Sequence, residues 1–158
     1  MLLVRILGTG SVARGRHLRT EDLVGEAMPG RDPAGIIART GIRRRYWIDD
    51  DDDATSLGAD ALSLAPDRAG MTPDALWRLV FVSSTSGDRL IPATANSVAA
   101  RVGMPDDRGC FDVNNACTGM LTALDLAFRQ VGTGEGPAGT STIGSSVPAS
   151  TAASLAFL

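Results

Sequence analysis

Apolar residues in this chain come in short runs cut by glycine, proline and clustered charge, and each run predicts an element. Residues 2–7 read as a buried strand closed by Gly8-Thr9-Gly10, and residues 11–19 read as loop. Thr20 is placed to cap a short helix, with Glu21 and Asp22 in the first turn, where negative charge suits the helix dipole. The stretch from Pro29 to Pro33 breaks that helix, Ile36 and Ile37 lead to Thr40-Gly41, and residues 42–48 read as extended. Thr55 caps a second helix to Ala69, with Leu57, Ala61, Leu64 and Ala65 at helical spacing and Gly70 as its stop.

Residues 76–82 form the strongest strand pattern. Leu79-Val80-Phe81-Val82 is continuous rather than alternating, which predicts burial on both faces, as in a sheet between helix layers. A short turn at Thr72-Pro73-Asp74 precedes it and a polar loop, residues 83–91, follows. Pro92 opens a helix of small residues, 93–102, ended by Gly103. Residues 110–113 read as a short strand leading into Asn114-Asn115-Ala116-Cys117-Thr118-Gly119 and a helix to about Val131. Met120, Leu121, Leu124, Phe128 and Val131 are assigned to its apolar face, with Asp125 and Arg129 as an i,i+4 pair on another. Strands alternate with helices, so the class is α/β. From Gly132 the composition turns to Gly, Ser, Thr, Ala and Pro, which divides the chain into a domain of residues 1–131 and a tail, 132–158.

Composition narrows the function classes. The 158 residues are 44% hydrophobic, 21% charged and only 4% aromatic, so the core rests on Ala, Val, Leu and Ile. A net charge of −3 gives no electrostatic case for nucleic acid. Arg43-Arg44-Arg45 is a local exception, fitting either a solvated loop or one phosphate-bearing ligand. The acidic run 49–53 reads as a solvated turn and lacks the glycine spacing of a calcium loop, so no metal is expected. No stretch approaches the about 18 apolar residues of a membrane span. The first residues lack the flanks of a signal peptide, and two cysteines make no disulfide framework, so the expected compartment is the reducing cytoplasm.

Cys117 stands where a strand hands over to an amphipathic helix. Unpaired N–H groups and the helix dipole at such a turn stabilise a thiolate, and the same N–H groups can hold the oxyanion formed when a thioester is attacked. A cysteine at this position is otherwise a small buried hydrophobe, the reading that also fits Cys110.

The segment Phe111-Asp112-Val113-Asn114-Asn115-Ala116-Cys117-Thr118-Gly119-Met120 resembles the active-site segment of the β-ketoacyl-acyl carrier protein synthase III (ketosynthase III) family. The likeness continues in Ile6-Leu7-Gly8-Thr9-Gly10-Ser11, in Arg39-Thr40-Gly41-Ile42-Arg43 followed by Arg45, and in Val82-Ser83-Ser84-Thr85 with Ile91-Pro92-Ala93-Thr94-Ala95. It implies one half of the two-half, thiolase-like αβαβα architecture, a mixed sheet flanked by helices, in a homodimer. It also implies acyl transfer from coenzyme A to Cys117, then decarboxylative condensation with a malonyl-carrier protein, in fatty-acid or polyketide initiation. No bound cofactor is implied; coenzyme A or a carrier-protein phosphopantetheine thioester is substrate. Arg39 is placed by the resemblance near the coenzyme A adenine end, its other reading being a structural arginine.

The likeness also has gaps. The family's decarboxylating His and Asn come from its second half, whereas the single histidine here, His17, lies in the first expected loop. Around Thr140-Ser141-Thr142 the tail faintly resembles the family's late Gly-Asn-Thr segment, with Ser141 at the Asn position; the other reading is an irregular tail. Gly35 stands where the family commonly has an adenine-stacking aromatic, which points toward a carrier-protein donor. Two further readings stay open. One is a non-catalytic half-domain that associates with a ketosynthase or a missing second half. The other is an acyltransferase to an alcohol or amine without decarboxylation.

Overall fold

In chain order the elements are β1 (Ile6–Ala13), β2 (Arg16–Arg19), α1 (Thr20–Ala27), α2 (Pro33–Thr40), β3 (Arg44–Trp47), α3 (Ala54–Ala69), β4 (Arg78–Ser83), α4 (Thr94–Val102), β5 (Gly109–Val113), α5 (Gly119–Gly132), β6 (Ala138–Ser145) and β7 (Ser150–Phe157), with short 3-10 turns at Pro73–Ala75 and Ala116–Thr118. This computed structural model describes residues 4–48, 51–84, 87–134, 136–145 and 150–157. The expected strand start at Leu2 and Leu3, Asp49 and Asp50 of the acidic run, Thr85 and Ser146-Val147-Pro148 lie outside the described residues.

Five strands form one mixed sheet in the order β1-β7-β6-β4-β5. β5, β4 and β6 run parallel, and β6, β7 and β1 are antiparallel neighbours. β6 and β7 come from the segment after Gly132, and their backbones hydrogen-bond in the same sheet as β1 and β4. β2 and β3 pair apart from it as an antiparallel ribbon.

β4 is an interior strand between β6 and β5, and its uninterrupted apolar run serves two faces. Leu79 and Phe81 join Leu57, Leu62, Ala95 and Val98 of α3 and α4 in one core cluster. Val80 and Val82 join Ala123 of α5 in another, with Phe111 and Val113 packed against them. The two-sided burial predicted from the pattern is therefore present, with α3 and α4 on one face and α5 on the other.

Three details differ from the sequence pattern. Gly8 and Gly10 lie inside β1, because a Cβ at either would run into the carbonyl oxygen of Ala65 or Ala61 on α3; they permit close strand-helix packing instead of ending the strand. Thr20 is the first residue of α1 rather than its cap, and its hydroxyl donates to the Ile42 carbonyl at 2.7 Å. The α3 cap is Asp53, in a capping box with Ser56, while Thr55 sits in the first turn. Its N–H and hydroxyl both donate to Asp88, at 2.8 and 2.6 Å. The acidic run is thus partly engaged: Asp53 caps α3 and Asp52 pairs with Arg14 at 3.3 Å.

On α5 the buried ridge is Gly119, Ala123, Ala127 and Val131, spaced four apart. Leu121 and Phe128, assigned to the buried face from sequence, are 66% and 40% exposed. Small residues win the inner position because α5 lies close on the sheet: a Cβ at Gly119 would stand 2.6 Å from Val82 Cγ1. Among the described residues no helix is long and apolar enough to cross a membrane.

Candidate functional site at the turn before α5

β5 carries the chain toward Cys117 beside β4, with Val113 in register with Val82. Asp112 anchors its end. The two Asp112 carboxylate oxygens accept the N–H groups of Thr94 and Ala95 at 2.8 and 2.7 Å. Ala93, the residue before α4, has no side chain able to cap, so Asp112 supplies that function from a neighbouring strand.

Between β5 and α5 the chain makes a sharp turn. Ala116 has φ 42°, the one non-glycine positive φ among the described residues. This left-handed conformation costs an L-residue about 1–2 kcal/mol. A set of hydrogen bonds holds it. The Thr118 N–H and hydroxyl donate to the Asn115 carbonyl at 3.1 and 3.0 Å. Asn115 Nδ2 donates to Thr122 Oγ1 at 2.9 Å, and Thr122 Oγ1 donates to the Thr118 carbonyl at 3.2 Å. The loop is closed on both sides of Cys117.

Cys117 itself is exposed. It sits two residues before the first residue of α5, whose N-terminus has no side-chain cap. An accessible sulfur beside uncapped helix N–H groups can attack a carbonyl and leave the resulting oxyanion facing donors. Cys110 differs. It lies on β5, partly buried, and burial pushes its thiol above the ordinary range against smaller opposing effects from the Leu79 backbone and Arg78.

Arg39 lies in the last turn of α2, away from the Cys117 turn in sequence and on a helix that packs against α1. With Arg31, Gly35, Ile36 and Ala38 it lines a groove of about 530 Å³. A smaller cavity of about 230 Å³ lies at the N-termini of α3 and α4, with Asp53, Asp88, Arg89 and Thr94 in its wall. Neither cavity is lined by Cys117. His17 is on β2, not in a loop, and stacks on Tyr46 of β3 with ring centroids 4.8 Å apart. Ser141 is in β6, opposite Phe81 and Ser154.

No protein-family model matches the chain. Among curated proteins, a β-ketoacyl-[acyl-carrier-protein] synthase III of Xanthomonas campestris pv. campestris is 36% identical over 133 residues, 83% of this chain and 39% of that protein. The protein of the same name from Clostridium acetobutylicum is 33% identical over 132 residues, 84% of this chain and 39% of its own length. The chain belongs to the ketosynthase III family. It spans about two fifths of the length of the curated ketosynthase III relatives it matches. Solved structures carry the same architecture. The 3-oxoacyl-[acyl-carrier-protein] synthase III of Aquifex aeolicus gives a TM-score of 0.85 at 21% identity, over 98% of this chain and 53% of that one. A variant of OleA from Xanthomonas campestris gives 0.83 at 22%, over 98% and 55%. The fold is therefore one half of the thiolase-like architecture, as the ketosynthase III motifs imply. Asp112 and Asn115 stand in the segment that carries the resemblance, but their bonds to α4 and to Thr122 have no local signature beyond a helix start at Ala93 lacking its own cap.

Proposed function

We propose that this chain is the acyl-accepting part of a ketosynthase III-type condensing enzyme, with Cys117 as nucleophile. The observation that carries the reading is the exposed Cys117 on a strained, hydrogen-bonded turn ahead of the uncapped α5. The name shared by its relatives supports the reaction class. Cys117 Sγ bonds to the thioester carbonyl carbon, and the carbonyl electron pair moves onto oxygen beside the first-turn N–H groups of α5. Collapse of that intermediate breaks the carbon–sulfur bond. The donor thiol, of coenzyme A or a carrier-protein phosphopantetheine, leaves with the proton Cys117 gave up. Arg39 holds an anionic part of the donor. Condensation with a malonyl-carrier protein, in fatty-acid or polyketide initiation, belongs to a complete two-half enzyme, in the cytoplasm and as a homodimer.

The test is acyl transfer followed by peptide mass spectrometry. Acetyl thioester is expected to add one acetyl mass to the Cys117 peptide, with loss in Cys117→Ser and retention in Cys110→Ser. A mass shift on Cys110, or none at all, counts against the reading.

A second reading, a non-catalytic half that associates with another ketosynthase copy or half, is favoured by exposed apolar side chains. Leu90 is 93% exposed, Ile91 83%, and Leu121 and Phe128 add to them. A monomer in size-exclusion chromatography across the micromolar range would remove its support.

A further inference from the structure

The cavity of about 230 Å³ between the starts of α3 and α4 is lined by two carboxylates, Asp53 and Asp88, and by the hydroxyl side chains of Thr55, Thr94 and Ser97. Helix starts ordinarily suit anions, because their first N–H groups lack partners. Here those donors are taken. Asp88 accepts the N–H groups of Ala54 and Thr55 at 2.7 and 2.8 Å, and Asp53 accepts that of Ser56 at 2.5 Å. Asp112 accepts those of Thr94 and Ala95, and the Asn96 N–H goes to the Ala93 carbonyl at 3.0 Å. An anion in the cavity would therefore meet acceptors rather than donors.

Thr94 supplies a separate observation. It is 2% exposed, and its Oγ1 has no hydrogen-bond partner among the described residues. A buried hydroxyl left without a partner is costly, so its two lone pairs and one donor call for an occupant of the cavity. The chain covers it closely: a Cβ at Gly87 would overlap the Thr94 hydroxyl. Ser97, three residues along α4, brings a second hydroxyl to the same wall.

Charge selects the occupant. Two carboxylates, set against about half a positive charge at each helix start, leave about one negative charge. Arg89 also stands in the wall, yet it is exposed and forms no ion pair among the described residues. Among those residues no three or more His, Cys, Asp or Glu side chains gather, as a tightly held transition metal or calcium would need. Oxygen donors of low net charge suit a hard cation of single charge.

We propose that this cleft is a monovalent-cation site, for potassium or sodium, in which the Asp53 and Asp88 carboxylates and the Thr94 and Ser97 hydroxyls hold the ion. The ion ties the segment of Gly87 and Asp88 to the starts of α3 and α4. No local spacing in the sequence announces the site, because its oxygens come from three separate segments. Cys117 does not line it, and the site stands whether or not Cys117 accepts an acyl group.

The experiment measures the melting temperature of the full chain in potassium, sodium and tetramethylammonium chloride at equal ionic strength. The bulky organic cation controls for screening. Potassium or sodium at about 100 mM is expected to raise the melting temperature by about 2–4 °C over tetramethylammonium, saturating with concentration. Thr94→Val tests the hydroxyl by sign. In tetramethylammonium it should melt at or above wild type, because it removes an unpartnered buried group; in potassium it should lose the rise. Asp88→Asn keeps an acceptor for the α3 N–H groups and should lose the rise too. Arg89→Gln removes the competing charge and should lower the half-saturating concentration about threefold. Sodium NMR reads binding directly: wild type is expected to broaden the line, added potassium to relieve it, and Thr94→Val to leave it sharp. Equal melting in the three salts, or a rise kept in Thr94→Val, overturns the proposal. A larger rise with calcium at matched ionic strength overturns the assignment to a single charge.

Discussion

Asn115 and Thr122 clasp each other across the turn that presents Cys117, with Asn115 Nδ2 donating to Thr122 Oγ1 at 2.9 Å. The seven-residue separation joins the exit of β5 to the first turns of α5, and the Thr122 hydroxyl passes the connection on to the Thr118 carbonyl at 3.2 Å. A neutral hydrogen bond contributes about 0.5–1.5 kcal/mol, comparable to the strain at Ala116. Thr122→Val and Asn115→Ala are each expected to slow iodoacetamide alkylation of Cys117 by about two- to tenfold. The double variant should be no slower than Thr122→Val, which already removes the Asn115 bond together with the one to the Thr118 carbonyl. Thr122→Ser restores the rate. Additive losses in the double variant would show that the two side chains act separately.

The two cysteines should separate by pH. Burial holds the Cys110 thiol above the ordinary range, so its thiolate is scarce at neutral pH. Cys117 is exposed and is expected to alkylate first at pH 7. Cys110 should catch up only as pH rises beyond the ordinary thiol range. Peptide-resolved mass spectrometry across pH 6 to about 10 checks this; equal rates at neutral pH would contradict it.

The N-terminus of α3 predicts an acid-sensitive contribution to stability. Burial acts to raise the Asp53 carboxyl, but bonds from the Ser56 backbone and side chain, with Arg101 and Arg14 nearby, hold it below its usual value. A carboxylate lowered in the folded state stabilises above its unfolded value, and that stabilisation is lost as pH falls through the folded one. The melting temperature is therefore expected to drop below about pH 4 in wild type and less steeply in Asp53→Asn, which keeps an acceptor without titrating. Asp88→Ala, removing the second carboxylate at the same helix end, should cost about 1 kcal/mol at neutral pH by denaturant unfolding.

Glycines on β1 and α1 should respond to alanine with opposite sign. A Cβ at Gly10 meets the Ala61 carbonyl and stands 2.7 Å from Leu64 Cβ, so Gly10→Ala must push α3 from the sheet. Its expected cost is about 1–3 kcal/mol. Gly25, within α1, has nothing within 4 Å of such a Cβ. Gly25→Ala is expected to stabilise by about 0.5–1 kcal/mol. Urea unfolding of both variants is the check.

The elements that read clearly in the sequence are those whose pattern has one physical cause. Leu79-Val80-Phe81-Val82 is apolar throughout because two helix layers meet it, and the structure buries all four. The Asp125–Arg129 pair follows from helix geometry alone. The misread positions are those where tertiary closeness overrides local pattern. Gly119 and Ala123 face inward on α5 because the sheet leaves no room for larger groups, which pushes Leu121 outward. Thr55 was a sound local cap, but Asp53 has the capping geometry and Asp88 approaches from over thirty residues away. Cys117's position between strand and helix was legible; the Asn115–Thr122 clasp was not, because side-chain polarity alone does not name a partner.

The place of β7 between β1 and β6 bears on how the chain assembles during synthesis. β1 pairs with β7, Ile6 with Phe157, and among the described residues has no other neighbour in the sheet. Contacts of such sequence separation close large loops and form late. On the ribosome, β4 and β5 have a parallel partner in each other long before β1 acquires one. Until residues 150–157 emerge, the β1 backbone lacks its ladder, and its close packing on α3 at Gly8 and Gly10 holds one face only.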